Sequence, residues 1–272
     1  MEPADLHKQP RQARWRWLIF LAAGLLFLGW LLNTPAGLFG KLDAIGYAVC
    51  HRIEARSFSI GGRQFPLCVR CSGMFLGAIA GLSFQTVLFR RRAGTPPWKI
   101  LAALGALVAA FALDGVNSYL HLFPYAPSLY EPQNNFRLIT GTGMGLVIAA
   151  ALYPAFNQTV WVNWDNRPAI PGWPTFFGLL GLGFLLDMLI LSENPLILYP
   201  LAIISSVGVL ILLVMIYSMI WVMVFRTENR FEKIWQLSFP LAGGFSLAML
   251  QIVLFNLIRY YLTGTWDGFP IG

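Results

Sequence analysis

Seven apolar segments, at about 15–33, 73–89, 99–120, 138–154, 175–191, 198–225 and 239–262, follow one another with only short polar gaps between them. A helix needs roughly 20 apolar residues to cross the hydrocarbon core of a bilayer, and a crossing backbone must satisfy its own polar groups. The pattern predicts an all-α, polytopic transmembrane helical bundle of about seven spans, one integral membrane domain over residues 1–272. Composition agrees: 11% of residues are charged, against about 25% in soluble domains. The fifth segment is the weakest, being short and carrying Gly178, Gly181, Gly183 and Asp187; six helices plus a re-entrant segment is the alternative there. A basic stretch precedes the first segment, but Asn33-Thr34-Pro35-Ala36-Gly37 is a poor cleavage site, so that segment reads as a retained helix.

Lys and Arg set the expected orientation, because they favour the cytoplasmic side. With the N-terminus inside, the inner segments hold twelve of the nineteen and the outer segments seven, five of them between Lys41 and Arg70. The expectation is therefore N-in and C-out, with residues 1–14 a basic cytoplasmic tail and residues 34–72 a Cys- and Arg-rich outer loop. The net charge of +7 sits beside the spans. No basic stripe alternates with exposed aromatics, which argues against a nucleic-acid partner and leaves the lipid bilayer as the expected one.

Reactive chemistry is concentrated in Cys50–Gly73. All three cysteines, Cys50, Cys68 and Cys71, lie there, and His51 adjoins the first. A Cys-His pair, sixteen residues, then Cys-x-x-Cys is the spacing of a metal-thiolate site. Cys68 and Cys71 can both face one ion from a turn that leads into a helix. Adjacent Cys50 and His51 point apart if extended, which makes His121 a rival fourth ligand.

Ionisable groups inside a bilayer need a partner or a purpose. Asp114, Asn117, Ser118 and His121 share one face of the third span, their offsets being three, four and seven. Asn135, Arg137 and Thr140 open the fourth, Asp187 lies in the fifth, and Gln251, Asn256 and Arg259 lie in the seventh. Two readings follow. One is a pair of structural ion pairs, Asp114 with Arg137 and Asp187 with Arg259. The other is a polar cavity on the cysteine side, lined by Asn117, His121, Asn135 and Asp187. In it Asp114 would act as base or proton relay, and Arg137 as an anion clamp. Gly73, Gly77 and Gly81, with Gly141 and Gly145, read as close-packing positions, and Gly61-Gly62 as a hairpin turn.

These blocks carry a resemblance. Cys50-His51-Arg52, Arg56-Ser57-Phe58 and Pro66-Leu67-Cys68-Val69-Arg70-Cys71-Ser72-Gly73 form one. Asp114-Gly115, followed by Asn135, Arg137-Leu138 and Thr140-Gly141, forms the other. Together they resemble a family of uncharacterised prokaryotic polytopic membrane proteins, a domain of unknown function, over residues 48 to 145. The resemblance implies a membrane location and one shared site, and brings no activity with it.

Four chemistries fit the cysteines. Zinc or another transition metal on Cys50, His51, Cys68 and Cys71 would close a structural site; with three protein ligands, an open position would permit metal-assisted hydrolysis. A Cys68–Cys71 redox pair would make a membrane thiol-disulfide oxidoreductase. Arg52, Arg56, Arg63, Arg70 and Arg137 suit a small anionic or lipid-headgroup ligand. A non-catalytic scaffold with one disulfide completes the set. There is no Ser-His-Asp arrangement, HExxH, Walker loop or dinucleotide fingerprint.

Overall fold

The structure is a computed structural model that describes residues 10–121, 123 and 127–268. Residues 1–9 of the expected basic tail lie outside the described residues. Eight α-helices occur among those described: α1 (Pro10–Asn33), α2 (Gly37–Val49), α3 (Val69–Leu88), α4 (Trp98–Leu120), α5 (Asn134–Val160), α6 (Trp173–Leu191), α7 (Pro195–Val224) and α8 (Ser238–Thr263). Six of them, α3 to α8, are long and apolar enough to cross a membrane. A seventh crossing arises if α1 and α2 count as one span broken by a 110° bend. Six expected segments thus coincide with crossing helices, and the first continues into a helix, α2, inside the stretch assigned to the outer loop. Many large apolar residues on these helices, among them Leu185, Leu196, Leu257 and Phe184, are exposed, as expected where the surrounding solvent is lipid. The chain is a multi-pass membrane protein.

The tightest contact joins α3 and α5. Gly73 faces Leu138 and Thr142, Gly77 faces Thr142, and Gly81 faces Ala149, so the two helices run parallel, as helices separated by one crossing must. A Cβ on Gly145 would stand 2.2 Å from the Met74 carbonyl oxygen, and one on Gly141 2.3 Å from that of Arg70. Small residues on both helices let backbone meet backbone.

Between α2 and α3 the chain makes a one-turn 3-10 helix (Glu54–Arg56) and an antiparallel hairpin, β1 (Ser59–Ile60) with β2 (Arg63–Gln64). Gly61 and Gly62 turn it with φ of +57° and +80°, the left-handed pair that a tight hairpin demands. At the opposite end of α3 and α5, β3 (Arg92–Gly94) pairs in parallel with β4 (Asp165–Pro168) and ties two loops together.

Candidate metal centre and its basic surround

Cys50 follows α2, while Cys68 is the N-cap residue of α3 and Cys71 lies in its first turn. The apolar face of α2 and the hairpin beneath it bring these segments together. The three sulfurs lie within 4.8 Å of one another, none in a disulfide; Cys50 and Cys68 are buried and Cys71 is half-buried. Among the described residues this is the one group of three or more His, Cys, Asp or Glu side chains placed so that they could hold a metal ion. Cys50 Sγ accepts hydrogen bonds from the Cys68 N–H at 3.2 Å and the Arg52 N–H at 3.5 Å. Hydrogen bonds from the Cys68 thiol first and the Cys71 thiol second, with a smaller part from the Cys68 N–H, hold the Cys50 thiol well below its ordinary range. Its hydrogen bond to Cys50 pushes the Cys68 thiol up to about 12.

The loop around Cys50 is clamped. Asp43 on α2 pairs with Arg52 at 2.9 Å and also with Arg63. Arg259 of α8 donates to the carbonyls of Tyr47 at 2.8 Å, Cys50 at 2.5 Å and His51 at 3.1 Å. Arg52 is buried with φ of +52°, a strained conformation for a residue with a side chain. A cavity of about 280 Å³ borders the trio, lined by Tyr47, Cys50, His51, Arg259 and Thr263 among others.

Neither expected histidine ligand joins the sulfurs. His51 turns its Nδ1 back to accept from the Ile53 N–H at 3.0 Å, which leaves Nε2 as the protonated nitrogen of the neutral ring. Burial lowers its pKa; the Cys50 charge opposes that, and Arg56, Arg70 and Arg137 add to it. His121 is exposed at the C-cap of α4.

Beside the cysteines, three arginines converge from three segments. Arg56 donates to the Ser118 carbonyl at 3.2 Å. Arg70 donates to the Ser118 hydroxyl at 3.0 Å and to the Asp114 carboxylate. Arg137, 7% exposed, donates to Asn134 Oδ1 at 2.8 Å, while its Nε and that of Arg70 have no partner. One carboxylate, Asp114, pairs with Arg70 and lies near Arg137. Burial first, then Arg70, lowers the pKa of Arg56.

The expected pairings are corrected accordingly. Asp114 pairs with Arg70, not with Arg137, and also accepts from the Tyr130 hydroxyl at 2.7 Å and the Thr140 hydroxyl at 3.3 Å. Three donors leave it little freedom to act as a base. Asp187 pairs with the Thr142 hydroxyl at 2.6 Å and not with Arg259. Thr142 follows Arg137 by five residues, about 7.5 Å along the helix, so Asp187 lies deeper in the bundle. Asn117 spends its amide on the backbone of Leu129 and Tyr130. Asn135 is exposed, and its neighbour Asn134 takes the contact with Arg137. Asp43 went unnoticed as an anchor, although it is the one acidic residue between Asp5 and Glu54 and sits among arginines.

Fold and site together define a multi-pass helical membrane protein with a buried three-thiol cluster beside a basic one. A family described as "Predicted membrane protein (DUF2085)" matches residues 50–151, the stretch from Cys50 through most of α5. An uncharacterized protein of Methanocaldococcus jannaschii is 27% identical over 145 residues, which is 53% of this chain and 86% of that one. An uncharacterized protein of Methanothermobacter thermautotrophicus is 32% identical over 102 residues, 37% of this chain and 81% of that one. The chain belongs to this predicted-membrane-protein family. No solved structure matches it.

Proposed function

We propose that this chain is a membrane metalloprotein that holds one soft transition-metal ion, zinc by its ligand chemistry, on Cys50, Cys68 and Cys71. The observation that carries the reading is the convergence of three thiols from two separate segments to within 4.8 Å. The donor set fits the ion. Three sulfurs suit zinc, and backbone N–H groups aimed at a sulfur, as at Cys50, stabilise a metal-bound thiolate. Three thiolates and a divalent ion carry one net negative charge, which the arginines at 56, 70 and 137 offset.

Cys50, Cys68 and Cys71 would hold the ion, and with three protein donors it would supply Lewis acidity to a water or substrate. His51 lines the cavity that Cys50 borders, its Nδ1 occupied by the Ile53 N–H. Arg137 serves as clamp for a small anionic group or a lipid headgroup, and Asp114 positions Arg70 and Tyr130. The Lys and Arg distribution supports an N-in, C-out arrangement that puts this site at the extracytoplasmic face. A thiol-disulfide role is the second reading. It is favoured by the same geometry, three free thiols within 4.8 Å of one another, two of them in a Cys-x-x-Cys at a helix start.

Plasma mass spectrometry on detergent-purified protein tests the reading. About one metal per chain is expected in the wild type, and less than a tenth of that in Cys50→Ser or Cys68→Ser, with His51→Ala retaining it. Full metal in both serine variants would sink the proposal. Metal-free wild type with a slowly forming Cys50–Cys68 or Cys50–Cys71 disulfide would replace it with the redox reading.

A further inference from the structure

The positive charge beside the cysteines exceeds what the protein itself offsets. Arg56 and Arg70 meet on Ser118, one at its carbonyl and the other at its hydroxyl, and both lie near Arg137. Asn134 links the third guanidinium to the first segment, accepting from Arg137 at 2.8 Å and donating to the Ala55 carbonyl at 3.4 Å. Among the described residues, the one carboxylate in ion-pair contact with any of the three is Asp114, on Arg70. A metal held on three thiolates would offset one more positive charge, and one would remain. A buried charge without a counter-ion is costly, most of all at Arg137, which is buried. Two helix N-termini add charge of the same sign. Arg70 and Arg137 lie in the opening turns of the parallel α3 and α5, and neither N-cap residue, Cys68 or Gln133, caps its helix with its side chain. The first-turn N–H groups of both helices therefore present their partial positive charge at this level.

The unused donors describe the ligand. Among the described residues, Arg56 Nε and Nη1, Arg70 Nη1 and Arg137 Nη2 carry no hydrogen bond, and none of them is sealed off. They arrive from three segments: the 3-10 helix, α3 and α5. A carboxylate offers two oxygens in one plane. A phosphate group spreads its oxygens over a tetrahedron and can accept from all three guanidiniums at once. The level suits it too. Asp114 and Ser118 lie in the last two turns of α4, so the cluster sits where helices end and bilayer headgroups begin. Phe136 and Ile139, exposed on either side of Arg137 in sequence, turn that part of α5 to lipid. We propose that Arg56, Arg70 and Arg137 form a phosphate site beside the cysteines, for the phosphodiester of a lipid headgroup or for inorganic phosphate. The site names the anion of the function proposed above, and rests on that reading only for the single charge of the metal centre. A phosphodiester carries the one negative charge that then remains to be met.

The test is calorimetric titration of delipidated full-length protein in detergent, at fixed ionic strength, with inorganic phosphate and separately with dihexanoylphosphatidylglycerol. One saturable equivalent per chain is expected. Binding of the phosphatidylglycerol alone identifies a lipid headgroup, and binding of phosphate identifies the free ion. Arg56→Gln and Arg137→Gln should each weaken the binding by ~10-fold, the scale of a lost charge-assisted hydrogen bond. Arg167→Gln removes the same charge at the far end of the bundle, where its partner is Asp165, and should leave binding unchanged. Bound ligand should raise the wild-type thermal midpoint. Ligand-free Arg137→Gln, relieved of one like charge, should melt no lower than ligand-free wild type, which separates lost binding from lost fold. Cys68→Ser should bind at least as tightly, so loss of the metal reading would leave this site standing. Metal retained with no saturable equivalent of either probe would overturn the phosphate site and leave the metal reading intact. Binding that both arginine variants leave unchanged, or that Arg167→Gln weakens as much as they do, would overturn it equally.

Discussion

Two helix pairs in this bundle present glycines to each other's neighbourhood and come to opposite ends. Between α3 and α5 the glycines are matched: Gly73 and Gly77 on one helix answer Gly141 and Gly145 on the other, and carbonyls fill the space where side chains would be. Between α1 and α8 they are not. Gly24 and Gly29 have nothing within 4 Å of where a Cβ would stand, and α8 meets that side with Val253, Asn256 and Leu257. A glycine permits close approach; only a partner that is also small brings it about. The first pair fixes Cys71, Arg70 and Arg137 at one end of a rigid unit, and the second leaves an open groove on the outer surface of the bundle.

The sharpest way to break this contrast is to give both pairs a side chain. Gly145→Val forces the α3 and α5 backbones apart against the Met74 carbonyl and the Ala78 N–H, at a cost on the order of 3 kcal/mol or more. Gly24→Val should stay within about 0.5 kcal/mol of wild type. Thermal unfolding in detergent measures both, and equal midpoints would end the distinction. A smaller effect is expected from the polar network that the rigid pair supports. Asp114→Asn leaves Arg70 without its carboxylate in a site 2% exposed at the aspartate, and should destabilise by about 3 kcal/mol. Adding Arg70→Gln should recover part of that loss; additivity in the double-mutant cycle would show that the pair is not coupled.

The smallest effect concerns pH. Partial burial and the hydrogen bond to Asp114 raise the Tyr130 phenol to about 12, against an ordinary value of about 10. For an acid whose folded pKa is raised, the stabilising contribution is complete below the unfolded value and is lost as pH climbs through the interval. Wild type and Tyr130→Phe should therefore differ by a constant amount up to about pH 10 and converge toward pH 12. A gap that persists unchanged across that interval would show that Tyr130 does not hold Asp114 through its proton.

Much of this architecture is written in hydropathy alone. The segments expected at 99–120, 175–191, 198–225 and 239–262 end within a few residues of α4, α6, α7 and α8, because apolar length is a direct requirement of the bilayer. The expected 138–154 falls short of Asn134–Val160, since Asn134, Arg137 and Asn157 keep helical geometry while finding polar partners at the span ends. Helix α2 was invisible: with Gly40, Lys41, Asp43 and Gly46 it lacks a spanning pattern, and it exists by burying Leu42, Ile45 and Tyr47. The cysteine cluster was legible because its members share one stretch of chain. The exclusion of His51 was legible only as an awkwardness of adjacent side chains; the Ile53 N–H that draws its ring away is a matter of three-dimensional placement. The partner of Asp114 could not be read at all, because Arg70 and Arg137 are equally reasonable on spacing and only the angle between α3 and α4 decides.

The grip of Arg259 on Tyr47, Cys50 and His51 spans more than two hundred residues of sequence. During synthesis the cysteine loop leaves the ribosome early, and its clamp arrives only when α8 has been made and inserted. Until then the loop is held by contacts local to residues 43–68, the Asp43 pairs with Arg52 and Arg63 and the β1–β2 hairpin. The sulfur cluster therefore reaches its final arrangement late in assembly, when the last helix joins the bundle.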